Sequence, residues 1–147
     1  MAAILTRCFV SQFSVDAFMS YFVETAIEGD HAAHMALISK SVAVYGVPGF
    51  EVIAYEDWSR QCAEEFARNL IKAISYDNIQ IVSETDSLIC FETQETVEAR
   101  DGTVNRNRLE VFLARETDEQ WRIVQETILP AAGQSFGGGT LNSLSPC

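Results

Sequence analysis

Residues 74–129 read ISYDNIQIVSETDSLICFETQETVEARDGTVNRNRLEVFLARETDEQWRIVQETIL, and this stretch decides the fold. β-Branched and aromatic residues fill four long segments. Polar turn residues separate them at Thr85-Asp86, Asp101-Gly102 and the Thr117–Gln120 region. The pattern predicts four antiparallel strands in a meander. Asp-Gly is the strongest of the three turn signals, a preferred two-residue hairpin turn.

Turn positions set register, and register decides which side chains share a face. A two-residue turn at Asp101-Gly102 pairs Glu92 with Val111, Cys90 with Leu113 and Gln94 with Leu109. A two-residue turn at Thr85-Asp86 pairs Ile81 with Cys90 and Ile79 with Glu92. Closing the last hairpin at Asp118-Glu119 pairs Val111 with Glu126 and Leu113 with Val124. On these registers one face carries Ile79, Ile81, Leu88, Cys90, Leu109, Val111, Leu113, Val124 and Ile128, together with Glu92, Gln94 and Glu126. The opposite face carries Val82, Ile89, Phe91, Phe112 and Ile123 among Gln80, Glu95, Arg108, Glu110, Gln125 and Thr127. The first face is the more apolar and is expected to receive the helices. The second, with Phe91 opposite Phe112 and an expected Glu95–Arg108 ion pair, has the mixed character of a subunit interface. A homodimer through that convex face is therefore expected, a solvated face being the plain alternative.

Upstream of the strands the period changes to that of helices. Ser14 reads as an N-cap with Asp16 near the positive helix end, and Val15, Phe18, Met19, Phe22, Val23, Ala26 and Ile27 follow at helical spacing. Gly29 ends this helix, and Asp30 caps a short second one over His31–Ile38. Residues 42–47 are extended, Pro48-Gly49 breaks the chain, and FEVIA adds a short strand. A third helix is expected from about Glu56 to Ile71, with Trp58, Cys62, Phe66 and Leu70 as its apolar stripe. The domain is thus expected over residues 14–129, with 1–13 as an N-terminal arm. Residues 130–147 form a Gly/Ser-rich segment expected to be a mobile tail.

The chain has 147 residues, enough for one domain that buries ~70% of its unfolded surface. Its formal charge is −11, from 21 Asp and Glu against 10 Lys and Arg. Clustered cations are needed to bind nucleic acid or anionic lipid, and none are present, so neither is an expected partner. No apolar run approaches the ~18 residues of a membrane span, and residues 1–15 lack the charge and apolar pattern of a signal peptide. The four cysteines, Cys8, Cys62, Cys90 and Cys147, form no C-x-x-C motif and read as reduced thiols of a cytoplasmic protein. Cys62 and Cys90 read as small core hydrophobes.

Two or three helices followed by a four-stranded meander, with FVETAIEGDHAAHMALISKSVAVYGVPG and RLEVFLARETDEQWRIVQETIL as the matching pieces, resemble the nuclear transport factor two-like superfamily. That group includes ketosteroid isomerases, SnoaL-like polyketide cyclases and limonene epoxide hydrolases. The resemblance covers roughly residues 14–129 and rests on the order and spacing of elements. It implies an α+β, cystatin-like fold: a curved antiparallel sheet of four to six strands, forming a cone with two or three N-terminal helices on its concave face. The catalytic residues of ketosteroid isomerases do not carry over. Their general-base aspartate falls on Gly46, their oxyanion-binding tyrosine on Phe22 with Tyr21 one place off, and their second acid on Val111 or Glu110. No Asp-Arg-Asp arrangement for epoxide hydrolysis can be placed.

The candidate site follows from the predicted registers. Glu92 and Glu126 both project at the helix side, flanking Val111, on strands roughly 10 Å apart. A carboxyl in an apolar cavity has its charged form disfavoured, which suits proton transfer. Both are therefore candidate catalytic groups, the bland reading being wetted or ion-paired carboxylates. Phe22, Tyr45, Trp58, Cys90, Gln94, Val111 and Val124 are the candidate ligand contacts; Tyr45 stands next to Gly46 in a strand that lines the cavity in relatives. His31 and His34 share a helix face but lack a third ligand and read as surface residues, so no metal and no cofactor is expected. The functional expectation is a cavity that binds a small, mostly apolar organic ligand, with acid–base chemistry of the isomerase, cyclase or hydratase kind. The alternative is a non-enzymatic ligand-binding or dimerisation module.

Overall fold

The structure is a computed structural model and describes residues 13–130; most of the expected N-terminal arm and Gly/Ser-rich tail lies outside the described residues. Helix α1 spans Val15–Glu28, α2 His31–Met35 and α3 Tyr55–Ala67. The strands are β1 Ile38–Tyr45, β2 Ile53–Ala54, β3 Ile71–Glu84, β4 Leu88–Ala99, β5 Val104–Arg115 and β6 Trp121–Leu129. They form one curved sheet in the order β2-β1-β6-β5-β4-β3. All neighbours are antiparallel except β1 and β6, which run parallel. The α+β architecture expected from the sequence is present, and the parallel pairing is an addition to it.

Local chemistry explains the helix ends. The Ser14 hydroxyl accepts from Ala17 N at 3.0 Å and Asp30 Oδ1 accepts from Ala33 N at 3.1 Å, each satisfying a donor that a helix start leaves open. Gly29 closes α1 in the left-handed conformation. The third helix begins at Tyr55, with Asp57 Oδ2 accepting from Ala54 N at 3.2 Å. It stops at Ala67, four residues short of the expected end. The left-handed Asn69 then turns the chain into β3, leaving Leu70 exposed rather than in the helical stripe.

The β4–β5 hairpin departs from its predicted register. Ala99 N donates to Thr103 O at 2.8 Å and Gly102 N donates to Ala99 O at 3.0 Å. Gly102 has φ +96°, and Asp101 Oδ1 accepts from Thr103 N at 2.9 Å. This is a three-residue loop over residues 100–102, a type I turn closed by a left-handed residue, not a two-residue Asp-Gly turn. One extra loop residue slides β4 by one position, and a slip of one reverses every side chain. Glu92 now faces Glu110, Gln94 faces Arg108 and Cys90 faces Phe112, all on the convex side. Phe91 faces Val111 and Ile89 faces Leu113 on the concave side, and all four are buried. The expected Phe91–Phe112 pair and Glu95–Arg108 ion pair are therefore absent; Arg108 instead pairs with Glu92 at 2.6 Å.

The remaining hairpins are modified by bulges. Val111 faces Glu126 as predicted, but an irregularity between Phe112 and Leu113 pairs Leu113 with Ile123 instead of Val124. The fully buried Ile123 takes the core place, while Val124 is half-buried. In β3, shifts near Asn78 and Val82 leave Ile81 exposed, although Ile79 packs against the core.

The core lies between the concave face and the helices. Phe18, Met19 and Phe22 of α1 and Trp58 and Cys62 of α3 pack with Ile89, Phe91, Leu109, Val111, Leu113 and Ile123. Cys62 is disulfide-bonded and Cys90 is a free thiol; Cys8 and Cys147 lie outside the described residues. The expectation of four reduced thiols thus fails at Cys62, and with it the ground for a cytoplasmic location. Among the described residues no helix is long and apolar enough to cross a membrane.

Gly46 ends β1 with φ +89°, and a Cβ there would collide with the Ile128 carbonyl oxygen of β6. The position onto which the resemblance puts a catalytic aspartate therefore has no room for any side chain. Gly46→Ala is expected to destabilise the protein by roughly 2–4 kcal/mol, combining backbone strain with the clash. Chemical denaturation checks this, and a loss below about 0.5 kcal/mol would contradict the close approach.

Candidate functional site

The register of β4 places Glu95, not Glu92, on the concave face. Glu95 is 1% exposed and Glu126 of β6 is 4% exposed, and both line one cavity under α3. Val44, Val47, Ile53, Leu109 and Ile128 supply apolar wall, and Trp58 and Gln61 of α3 complete it. Tyr76 of β3 stands opposite Glu95 and donates its hydroxyl to Glu95 Oε2 at 2.9 Å. Asn107, opposite Glu95 on β5, hydrogen-bonds the same carboxyl.

Burial decides the protonation of the pair, because desolvation penalises the charged form. It pushes Glu95 up to about 7, against the opposing pull of hydrogen bonds from Tyr76 and Asn107. Glu126 rises to about 8, through burial and then the neighbouring Glu95 charge; no hydrogen bond contributes. The two carboxyls titrate as a coupled pair. Tyr76 is raised well above its ordinary value, first by burial and then by the charges of Glu95 and Glu126, so it remains a donor. Gln61 Nε2 donates to Glu65 Oε2 at 3.0 Å, and burial also lifts Glu65 to about 7.

The cavity measures about 30 Å³, room for one or two water molecules. It is much smaller than the ligand-sized hollow expected from the sequence. Larger hollows lie elsewhere: a groove of about 570 Å³ between Met35, Lys40, Tyr55 and Arg122, and one of about 300 Å³ between α1 and β3. None of the nine candidate residues lines either groove.

The structure scatters those candidates. Glu126 and Trp58 line the cavity, and Val111, fully buried, is paired with Glu126. Phe22 is buried in the helix layer, its ring 6.2 Å from that of Tyr76. Glu92, Cys90 and Gln94 belong to the convex side, where β4's register puts them. Val124 sits at the β6 irregularity, and Tyr45 is 42% exposed at the end of β1. His34 is not a surface residue: it is fully buried, its ring 4.2 Å from Phe22, with Nδ1 2.8 Å from Thr25 Oγ1. Among the described residues no group of His, Cys, Asp and Glu could hold a metal ion.

Glu95, Tyr76, Gln61 and Asn107 were missed from the sequence. The signal for Glu95 was the alternation within β4 itself. Its odd positions carry Ile89, Phe91 and Val97, whereas its even positions carry Glu92, Gln94 and Glu98. Read alone, that strand turns Glu95 inward.

The SnoaL-like domain matches residues 15–128. The chain belongs to the SnoaL-like domain family. Similar solved structures of this SnoaL-like fold include a protein of Novosphingobium aromaticivorans described as NTF2-like with a cystatin-like fold. It is 15% identical with a TM-score of 0.67, covering 91% of this chain and 90% of that one. Another Novosphingobium aromaticivorans protein, provisionally designated a scytalone dehydratase, is 12% identical with a TM-score of 0.64 and covers 87% of both chains. A Catenulispora acidiphila protein in complex with S-DNPA is 17% identical with a TM-score of 0.59, covering 84% of this chain and 94% of that one. At these identities the likeness is one of fold. No curated protein shows significant sequence similarity to this SnoaL-like chain.

The buried carboxyls dictate how stability follows pH. Their folded values, about 7 and about 8, lie above the ordinary 4.5. Between 4.5 and 8 the folded state therefore holds protons that the unfolded state has released. The stability that these protons contribute is fully present below about 4.5 and is lost as pH rises through the folded values toward 8. Denaturant titrations at pH 5 and 8 should show the decline, and Glu126→Gln should shrink it. A Glu126→Gln protein with the wild-type pH slope would refute the assignment.

Proposed function

We propose that this chain binds a small, mostly apolar organic molecule through one polar group held at Glu126 and Glu95, and performs acid–base chemistry there. The observation that carries the reading is the convergence of two buried carboxyls, from β6 and β4, on a single apolar-walled cavity. Near neutral pH the pair holds a proton to give and a site to take one. Glu126 is the donor, since it has the higher value, and Glu95, oriented by Tyr76 and Asn107, is the acceptor. Isomerisation, cyclisation and hydration each need that pairing. The cavity accommodates only the polar group, and the apolar remainder lies along Val47 and Ile53 at the β1–β2 end. The Catenulispora acidiphila protein of similar fold, in complex with S-DNPA, is in keeping with this use of the fold.

The test is a thermal-shift panel of short apolar compounds bearing one alcohol, carbonyl or amine group. A ligand at ~100 times its dissociation constant adds about 2.7 kcal/mol. The stabilisation is expected to disappear in Glu126→Gln. A panel without any stabilising compound, or an unchanged shift in the variant, would refute the reading.

A second reading, a homodimerisation module using the convex face, has Phe112 and Cys90 facing each other there, with exposed Leu88 two residues along β4. Phe91, expected on that face, is turned inward. Sedimentation decides it: a convex-face dimer becomes monomeric in Phe112→Arg, and a wild-type monomer ends this reading.

A further inference from the structure

Two carboxyls in one cavity can both ionise only beside a counter-charge, and the described residues that line it supply none. No Lys, Arg or His is among the residues that line it. Glu95 has neutral donors in Tyr76 and Asn107. Glu126, 4% exposed, faces the cavity and takes no hydrogen bond from the described residues. A buried carboxyl without a donor is costly, and without a cation the two cannot both ionise. A neutral hydroxyl would satisfy one oxygen but leave the second ionisation opposed. A positive group answers both.

Resting on the reading above, we propose that the polar group received by Glu126 and Glu95 is a primary ammonium, so that the ligand is a small alkyl or arylalkyl amine. The dimensions fit: about 30 Å³ holds a head the size of one or two waters but not a planar guanidinium. The indole of Trp58, in the same wall, presents an aromatic surface to which a cation is attracted. Val47, Ile53 and Ile128 provide the apolar lining for the carbon chain. At longer range the net charge of −11 concentrates cations and disfavours anionic ligands.

Binding an ammonium ion favours the ionised carboxyls, so protons are released on binding wherever the free pair is protonated, and the release fades as pH rises past about 8. The groups facing the cation are Glu95 from β4, Glu126 from β6, Tyr76 from β3, and Trp58 and Gln61 from α3, with Glu65 behind Gln61. Tyr76 stays protonated, so the proton comes from the glutamates.

Isothermal titration calorimetry with n-butylammonium chloride, against n-butanol and sodium butyrate, tests the proposal on the full chain. Butylammonium affinity is expected to rise up to about tenfold per pH unit between pH 6 and 8, with proton release seen as a buffer-dependent heat. Glu126→Gln is expected to weaken it at least tenfold and flatten the pH dependence. Glu95→Gln serves as the second variant should the first fail to fold. The proposal is overturned by butanol binding as tightly as butylammonium, by a pH-independent affinity, or by no ammonium binding up to about 10 mM. Binding of neutral compounds alone overturns the amine assignment and leaves the carboxyl site standing. Absence of all binding overturns both.

Discussion

The three-residue loop between β4 and β5 is the constraint on which the inside of this protein depends. Ala99 and Thr103 close it through a backbone hydrogen bond of 2.8 Å, and Asp101 accepts from Thr103 N. With that closure, Phe91 lands against Val111 and both are fully buried. The same closure turns Glu95 under α3 and Glu92 outward to Arg108. Because side chains alternate strictly along a strand, these placements are not separate events. A loop shorter by one residue would put Glu92 opposite Val111 in place of Phe91 and turn Glu95 outward.

The carboxyl pair is a local conflict within an otherwise consistent core. Packing draws Val111, Leu109 and Trp58 together and removes water from the space where Glu95 and Glu126 end. A structural role would place a cation or a full set of donors around them. Tyr76 and Asn107 serve Glu95, but among the described residues Glu126 has no hydrogen-bond donor. Such violations of core chemistry concentrate at functional sites, where strain in protonation is what the site uses.

The surrounding fold holds this arrangement from several directions. α3, which brings Trp58 and Gln61, is tied to α2 by His31 Nε2 donating to the Ser59 carbonyl oxygen at 3.0 Å. His34 and Phe22 pack together beneath α1, with Phe66 edge-on to His34. Beside the β5–β6 turn Arg122 holds Asp118 and Glu116 at 2.8–3.0 Å and reaches the Ala36 carbonyl. The β5–β6 turn, the α2–β1 junction and β6 are thereby linked. The large groove beside Lys40 and Tyr55 lies on this braced side, away from the carboxyls.

Much of the architecture follows from the sequence alone. Helical spacing in 15–28, the Ser14 and Asp30 caps and the alternating segments of 74–129 depend on interactions between near neighbours, so they determine the elements and their order. Glu126 was legible for the same reason: its pairing with Val111 survives the irregularity at Phe112–Leu113. What tertiary structure decided is the face of β4, and therefore the partner of Glu126. Asp101-Gly102 is compatible with a loop of two or three residues. The choice between them is made by burying Ile89, Phe91 and Val97 against helices that are distant in sequence. Turn propensities differ by little, whereas burying an aromatic side chain contributes about 2–3 kcal/mol, and that burial selects the register.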